Sequence, residues 1–248
     1  MWRALIFREI QARLFHSRTS MLWLLLEPIF HLSYLVVLFS LIRVHHIGGI
    51  STSLWLLTGL ITYFLFAWTS QRVSQSISSN KTVFAFRQIL PIDTLIIRAL
   101  IEVILLLIIF ISMYIGINLF VELQFPTNIF QLLNAWLFAW LIGIGWGMVL
   151  CIVNELLPDF YTFLDLIKMP MYFLSGVIFP LSSLTIYLQN ILLYNPMAHA
   201  VEIARGGISP LYHTLQGVDY YYPWIVAIGL LFMGMSLIKR YTRKLLAI

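Results

Sequence analysis

Residues 103–121 read VILLLIIFISMYIGINLFV and hold no charged side chain. A stretch of this length and apolarity matches the roughly 20 residues that a helix needs to cross the hydrocarbon core of a bilayer. The whole chain shares this composition, because 61% of its 248 residues are hydrophobic and only 10% are charged. So few charges cannot coat a water-facing surface of this size. The sequence therefore predicts an all-α integral membrane protein and excludes an ordinary soluble domain.

Working outward from this stretch, similar runs with almost no charge fill most of the chain. We predict six membrane spans, at about residues 21–42, 52–72, 98–120, 130–152, 169–187 and 223–240. The fifth is the least regular, since Pro170, Gly176 and Pro180 interrupt it. No flexible linker separates the spans, so residues 1–248 are expected to form a single transmembrane domain.

The basic residues predict the orientation of the spans. With six spans both termini share one side, and all 15 Lys and Arg residues except Arg43 and Arg205 fall on that side. Loops rich in Lys and Arg stay in the cytoplasm, so both termini are predicted to be cytoplasmic. The formal net charge of +5 then reflects topology, and no nucleic acid partner is expected.

Two cytoplasmic segments do more than connect spans. Residues 1–18 carry an i,i+4 apolar ridge from Trp2 to Leu14, with Glu9 four residues before Arg13, which favours a helix along the inner membrane surface over a plain topology signal. Residues 73–97 mix polar and apolar side chains. They either form a short helix that docks on a partner or fold back on their own bundle. The second inner loop, residues 155–168, is equally open between docking and simple connection.

The outer segment 188–222 is unusual, because it is apolar at helical spacing and is broken at Asn195-Pro196. Two short helices that enter the outer leaflet and return would fit this pattern, and irregular backbone at that depth has to be buried in protein or line a cavity. This segment is our candidate for the outer exit of a path. The alternative is a pair of helices lying flat on the surface.

Charges within apolar segments are expected to be paired or functional, since a charge in the bilayer is costly. Glu27 lies in the first span, and Arg98 and Glu102 are spaced i,i+4 at the start of the third, where they could pair with each other. His199, Glu202 and Arg205 cluster in the outer segment. No charge falls in the middle of a predicted span, which disfavours an ion-coupled carrier.

Several kinds of chemistry are missing from the sequence. There is no G-x-x-x-x-G-K-[ST] motif for ATP, and the single cysteine, Cys151, excludes a cysteine-based zinc site. Adjacent His45 and His46 have poor spacing for a metal, so no metal or cofactor is expected on this chain. Energy for any uphill transport would come from another chain.

A series of short motifs runs through nearly the whole chain. In order they are Leu5-Ile-Phe-Arg8-Glu9, Arg13, Leu22-Trp23, Leu26-Glu27-Pro28, His31, Asn80, Phe84, Arg87, Pro91-Ile-Asp-Thr94, Arg98-Ala-Leu, Glu102, Phe179-Pro180, Tyr194-Asn-Pro196, His199, Val201-Glu202 and Arg205. In this order and spacing they resemble the membrane subunit of ABC-2 type exporters. The chain looks most like the KpsM-type capsular polysaccharide permeases of Gram-negative bacteria.

The resemblance implies a homodimer in the bacterial inner membrane, with two separate ABC ATPase subunits that bind ATP and Mg. It also implies periplasmic co-polymerase and outer-membrane export proteins as partners, and a lipid-linked acidic polysaccharide as substrate. Its implied sites are ATPase coupling at Asn80, Phe84, Phe86 and Arg87; an interfacial helix where substrate is taken up at Arg8, Glu9, Arg13 and Arg18; and the re-entrant outer exit at Tyr194, Asn195, Pro196, His199, Glu202 and Arg205.

Three alternatives stay open. An ABC-2 exporter of O-antigen or teichoic acid is the nearest. An ion- or proton-coupled carrier would need charges in the middle of its spans and two halves of matching hydropathy. A membrane-bound transferase would need a cluster of carboxylate and histidine at one interface, to which only His199 and Glu202 come close.

Overall fold

The computed structural model describes residues 2–14, 20–41, 46–85, 89–119 and 125–246. Ten helices are found in these ranges: α1 Trp2–Leu14, α2 Ser20–Leu41, α3 Thr52–Ser74, α4 Pro91–Asn118, α5 Ile129–Leu156, α6 Pro158–Leu166, α7 Lys168–Leu174, α8 Ile186–Leu192, α9 Pro196–Ile208 and α10 Tyr221–Leu246. Two 3₁₀ turns, Ser78–Ala85 and Leu181–Ser183, and a two-stranded hairpin of β1 His46–Ile47 and β2 Ile50–Ser51 complete the described fold. Strand content is minimal, which agrees with the predicted all-α class.

Five of the described helices, α2, α3, α4, α5 and α10, are long and apolar enough to cross a membrane. Each coincides with one of the predicted spans. The largest difference is at α4, which begins at Pro91 instead of residue 98. Proline suits the first helical position because that residue needs no N–H partner there. Asp93 Oδ2 accepts a hydrogen bond from the Leu90 N–H at 3.0 Å. Asp93 therefore caps the helix from a position within its first turn.

The predicted fifth span, residues 169–187, is not one helix, and this prediction is corrected. Helix α7 ends at Leu174, and Gly176 turns the chain with φ +69°, a conformation that favours glycine. Within residues 155–168, Pro158 followed by Asp159 predicts a short helix, and the structure has α6 there. Leu157 separates α5 from α6, because a residue before proline is driven out of the helical region, and its φ of −144° fits that restriction.

Helices α3 and α5 form the centre of the bundle and are largely buried, with α4, α9 and α10 packed around them. Small residues permit this close approach. A Cβ atom at Gly143 would lie 2.8 Å from the Phe66 carbonyl oxygen, and one at Gly147 would lie 2.8 Å from that of Ser70. The glycine face of α5 therefore sets the distance between the two central helices.

Gly143→Leu is expected to lower the stability of the protein. No rotamer of a larger side chain removes the clash between its Cβ and the backbone of α3, so the two helices must separate, at a cost of about 1–3 kcal/mol or more. Thermal unfolding of the purified chain in detergent measures the effect. Gly229→Leu in α10 is the matched control, since a Cβ at Gly229 meets nothing within 4 Å. Equal melting temperatures for the two variants would contradict the packing argument.

The two ends of the bundle differ in character. We call the end with α1, the 3₁₀ turn Ser78–Ala85 and the C-terminal halves of α3, α5 and α10 the lower end. There α1 packs on α4 through Leu5, Ile97 and Ile101. The opposite, upper end carries the hairpin, α8 and α9. Helix α9 is buried along most of its length, so it does not lie flat on the surface.

Candidate functional site

A cavity of about 700 Å³ opens at the lower end between α1, α2, α3 and α4. Charged side chains dominate its lining, namely Arg8, Glu9, Arg13, Glu27, Arg72 and Arg98. Arginine forks bind carboxylate and phosphate oxygens in pairs, so this lining suits an anionic group. The predicted uptake residues Arg8, Glu9 and Arg13 all face this cavity, whereas Arg18 lies outside the described residues.

Glu9 joins three elements at the rim of this cavity. Its carboxylate lies 3.1 Å from Arg98 Nε of α4, and it accepts a hydrogen bond from Asn80 Nδ2 at 2.9 Å. Arg8 pairs with the same carboxylate at 3.3 Å and also donates to Asn80 Oδ1. Asn80 is buried and donates to the Ser76 carbonyl as well. The carboxylate of α1 thus connects the 3₁₀ turn to α4.

Glu102 makes a second connection one helical turn along α4. It lies 3.2 Å from Arg13 of α1 and 3.8 Å from Arg72 of α3. The predicted pairing of Arg98 with Glu102 is therefore wrong, because each of them pairs with a different residue on α1. Glu9 and Arg13 lie four residues apart on α1, and Arg98 and Glu102 lie four residues apart on α4. The order of charge is opposite on the two helices, so each acidic residue faces a basic residue of the other helix.

The coupling residues that the structure describes face the protein interior. Phe84 packs on a cluster that includes Val73 and Cys151, and Asn80 is bonded as described above. For these two residues the segment folds back on its own bundle. Among the residues of the turn whose burial the structure describes, Ser78, Ser79 and Lys81 are exposed, and Lys81 pairs with Glu155 of α5 at 3.4 Å. Phe86 and Arg87 lie outside the described residues.

At the upper end, Arg205 of α9 is fully buried and has partners on every side. Its guanidinium carbon lies 3.4 Å from the ring centroid of Trp55, which is a cation–π contact. Nη1 donates to the Gly176 carbonyl at 2.8 Å and Nη2 donates to the Val177 carbonyl at 3.0 Å. Nη1 is also 3.6 Å from Glu202 Oε1. Arg205 therefore fixes the turn after α7 against α3 and α9.

Glu202 and His199 hold the chain that follows α9. Glu202 accepts hydrogen bonds from the Tyr212 hydroxyl at 2.9 Å and the Leu215 N–H at 3.2 Å. Burial raises the pKa of Tyr212 to about 12, so its hydroxyl keeps its proton at neutral pH. His199 Nδ1 accepts from the Asp219 N–H at 2.9 Å, which leaves Nε2–H to donate to the Leu193 carbonyl at 2.7 Å. Each group is committed to structure, which does not suit acid–base catalysis.

The remaining predicted exit residues shape the start of α9. Asn195 accepts from the Met197 N–H at 3.0 Å as the helix cap and donates to Ser175 Oγ at 2.9 Å. Pro196 takes the first helical position, and the side chain of Tyr194 is exposed. Of the six predicted exit residues, Tyr194 is therefore the one whose side chain is exposed.

Helices α6 and α7 run along α3 from the lower end upward. Near the lower end, the Tyr161 hydroxyl lies 3.3 Å from Ser74 Oγ, and half-way along α3 the Tyr63 hydroxyl donates to the Lys168 carbonyl. Because Tyr63 is about 16 Å along the helix axis from Ser74, Lys168 lies near the middle of the bundle. Lys168 pairs there with Asp165, so a pair of charges lies at this level of the bundle, next to the predicted fifth span but outside it.

Comparison with known proteins agrees with this architecture. Residues 1–209 match the family of ABC-2 type transporters. The chain belongs to this family. It is 33% identical over 236 residues to the polysialic acid transport protein KpsM of Escherichia coli. This match covers 95% of this chain and 91% of that protein. It is 28% identical over 243 residues to the capsule polysaccharide export inner-membrane protein CtrC of Neisseria meningitidis, covering 97% of this chain and 90% of that protein. BexB of Haemophilus influenzae, another capsule polysaccharide export inner-membrane protein, is 25% identical over 244 residues, with 97% and 90% covered.

Sequence reasoning missed several residues that matter in this ABC-2 type chain. Arg72 joins the lower network from α3, and Trp55 stacks on Arg205 from the same helix. Neither has a local sequence partner that would single it out. Asp165 and Lys168 were assigned to a loop because charge was taken as evidence against a span. Their i,i+3 spacing was the available signal for the ion pair that they form.

Proposed function

We propose that this chain is the membrane-spanning permease of an ATP-driven exporter that moves a capsular polysaccharide, lipid-linked and acidic, across the bacterial inner membrane. The observation that carries the proposal is the similarity, over nearly the full length, to proteins named for polysialic acid transport and capsule polysaccharide export. The arginine-lined cavity at the lower end supports an anionic substrate. Arg8, Arg13, Arg72 and Arg98 would neutralise the phosphate or carboxylate of the incoming lipid-linked end.

In this proposal residues 1–248 form one transmembrane domain with six crossings and both termini in the cytoplasm. Helices α6 and α7 together make the fifth crossing, supported by their contacts along α3. Helices α8 and α9 make the re-entrant segment at the periplasmic exit. Two copies form the exporter, and periplasmic co-polymerase and outer-membrane export proteins receive the polymer.

Two separate ABC ATPase subunits would bind ATP and Mg and press on the lower end at the turn Ser78–Ala85 and the following residues Phe86 and Arg87. The hydrogen bond from Asn80 to Glu9 and the ion pair of Lys81 with Glu155 would pass this movement to α1 and α5. Both contacts start from the same short turn, so a movement of this turn would be transmitted to both helices. The exposed face of the turn is the surface that the ATPase would contact.

Ser78→Trp is expected to weaken ATPase binding and polysaccharide export by roughly tenfold or more, because a bulky ring on the exposed turn would block a closely packed contact. Co-purification of the ATPase with the tagged chain measures binding. Ser182→Trp, exposed in the other 3₁₀ turn at the upper end, is the matched control and should change neither quantity. Full ATPase recovery with Ser78→Trp would place the coupling surface elsewhere.

Deletion and complementation of the gene in its own host tests the proposed function. Without this chain, acidic polysaccharide should accumulate inside the cell and vanish from its surface, and the tagged chain should co-purify with a P-loop ATPase in equal amounts. Intracellular accumulation of O-antigen or teichoic acid instead would reassign the substrate. The Asp165–Lys168 pair favours a second candidate, an ion-coupled carrier, and export that persists with an inactive ATPase would support it.

A further inference from the structure

A groove of about 370 Å³ opens on the side of the bundle between α2, α3 and α7. It lies half-way between the two ends, since Tyr63 at the middle of α3 forms part of its wall. Its lining combines rings with polar groups, including His31, Tyr34, Tyr63, Phe64, Lys168 and Tyr172. His31 Nε2 lies 2.7 Å from the Tyr172 hydroxyl, so these polar atoms meet within the groove wall.

The ion pair of Lys168 with Asp165 is the unusual feature of this groove. The Lys168 side chain is 12% exposed and that of Asp165 is 29% exposed, so both reach the surface of this chain at the middle of the bundle. Charged groups facing lipid at this depth are costly, and those that occur in membrane proteins face protein or a water-filled cavity. The side of the chain that carries this groove therefore faces protein or a water-filled space and not the acyl chains.

We propose that this groove is a section of the translocation path and that Lys168 contacts the carboxylates of an acidic glycan as it passes. The inference rests on the proposed function and adds the group that recognises the substrate's charge. During passage Lys168 would exchange Asp165 for a glycan carboxylate. No covalent bond forms or breaks in this exchange.

Physical reasons favour such an exchange. Asp165 and a glycan carboxylate have the same charge and shape, so replacing one by the other leaves Lys168 paired throughout and avoids the cost of an isolated buried charge. Lysine is a compact point charge on a flexible stem, so it can follow a moving partner, whereas arginine holds a carboxylate in a fixed fork. A path has to bind weakly enough to release, and competition from Asp165 keeps the contact weak.

Binding to the purified complex of this chain with its ATPase tests the proposal. The probes are oligosialic acid and the same oligosaccharide with its carboxyl groups reduced to alcohols. We expect the wild-type complex to prefer the acidic probe by about tenfold, the ratio that a single charged contact of modest strength supplies. Lys168→Met should lower this preference to the part that the arginines of the lower cavity supply, at most about threefold, and leave affinity for the reduced probe unchanged. Lys168→Arg should retain the preference.

Asp165→Asn should act in the opposite direction. It removes the competing carboxylate, so the preference for the acidic probe should increase. The double variant Asp165→Asn with Lys168→Met leaves neither member of this pair as an isolated charge and should behave like Lys168→Met, which separates recognition from folding. Lys239→Met, which removes an exposed lysine from α10, is the matched control and should bind both probes like the wild type.

A preference that stays at the wild-type ratio in Lys168→Met and in the double variant would overturn the inference while leaving the exporter proposal intact. The inference also fails if Asp165→Asn and Lys168→Met change binding in the same direction, because the pair would then be purely structural. A wild-type complex that exports no polysaccharide and binds neither probe would instead remove the proposed function, and the inference with it.

Discussion

Arg205→Met is expected to abolish export and to reduce the amount of folded protein in the membrane at least tenfold. The guanidinium is fully buried, stacks on Trp55 and donates to the carbonyls of Gly176 and Val177. Methionine fills much of the volume but satisfies none of these acceptors, and it leaves Glu202 without its nearby cation. Breaking a buried pair by removing one partner costs about 3–5 kcal/mol, which is a large share of the stability of a typical domain.

The yield of monodisperse protein in mild detergent and its melting temperature measure this effect. Arg205→Lys should be intermediate, since lysine keeps the charge but cannot fork to two carbonyls while stacking on the indole. Adding Glu202→Gln to Arg205→Met should recover part of the loss, because it removes the unpaired carboxylate. Arg240→Met, at an exposed position of α10, is the control. A stable, exporting Arg205→Met variant would mean that Trp55 and the loop after α7 hold together without the cation.

The five helices that are long and apolar enough to cross a membrane could be predicted from the sequence, because a long run with almost no charge is a property of the residues themselves. The run 103–121 needs no knowledge of its neighbours to be recognised as α4. The close packing of α3 and α5 was also predictable, since Ala139, Gly143 and Gly147 share one face of α5. Local features of this kind carry over directly from sequence to structure.

The predicted fifth span, residues 169–187, does not match the helices of this region, α6 Pro158–Leu166 and α7 Lys168–Leu174. Lys168 and Asp165 neutralise each other by pairing within one turn, which a count of single charges does not take into account. The break at Leu157-Pro158 also divides the helical signal into pieces too short to be recognised alone. Only the contacts of Tyr161 and Lys168 with α3 reveal the course of the chain.

The contacts that the candidate site residues make could be predicted only in part. Glu202 and Arg205 were selected from their spacing and do lie within 3.6 Å of each other, yet Trp55, 150 residues away in the sequence, could not be connected with them. At the lower end, the spacing of Arg98 and Glu102 suggested one pair within α4. The true pairs needed the knowledge that α1 packs on α4, which spacing within one helix does not contain.

Arg98→Glu is expected to release α1 from α4 and to reduce export at least tenfold. The substitution places a second carboxylate beside Glu9, where the wild-type contact is 3.1 Å and both side chains are largely buried. It also removes the hydrogen bond from Arg98 to the Gln75 carbonyl at 3.0 Å. Like charges at this distance in a poorly solvated site repel strongly, so α1 should lose its position on the bundle. A disulfide between cysteines at Leu5 and Ile101, in a Cys151→Ser background, reports whether α1 stays docked.

The double variant Glu9→Arg with Arg98→Glu exchanges the two charges. It tests whether α1 is held by the attraction between opposite charges or by the particular residues at these positions. Because the attraction between the two helices is restored with opposite sign, the Leu5–Ile101 crosslink and part of the export should return. Recovery should be incomplete, since a glutamate at 98 cannot donate to the Gln75 carbonyl. Arg3 is exposed on α1, so Arg3→Glu should leave the Leu5–Ile101 crosslink unchanged. If Arg98→Glu keeps a full crosslink, the apolar contacts of Leu5 with Ile97 and Ile101 alone hold α1. The charges at the lower end would then serve the substrate and not the docking of the helix.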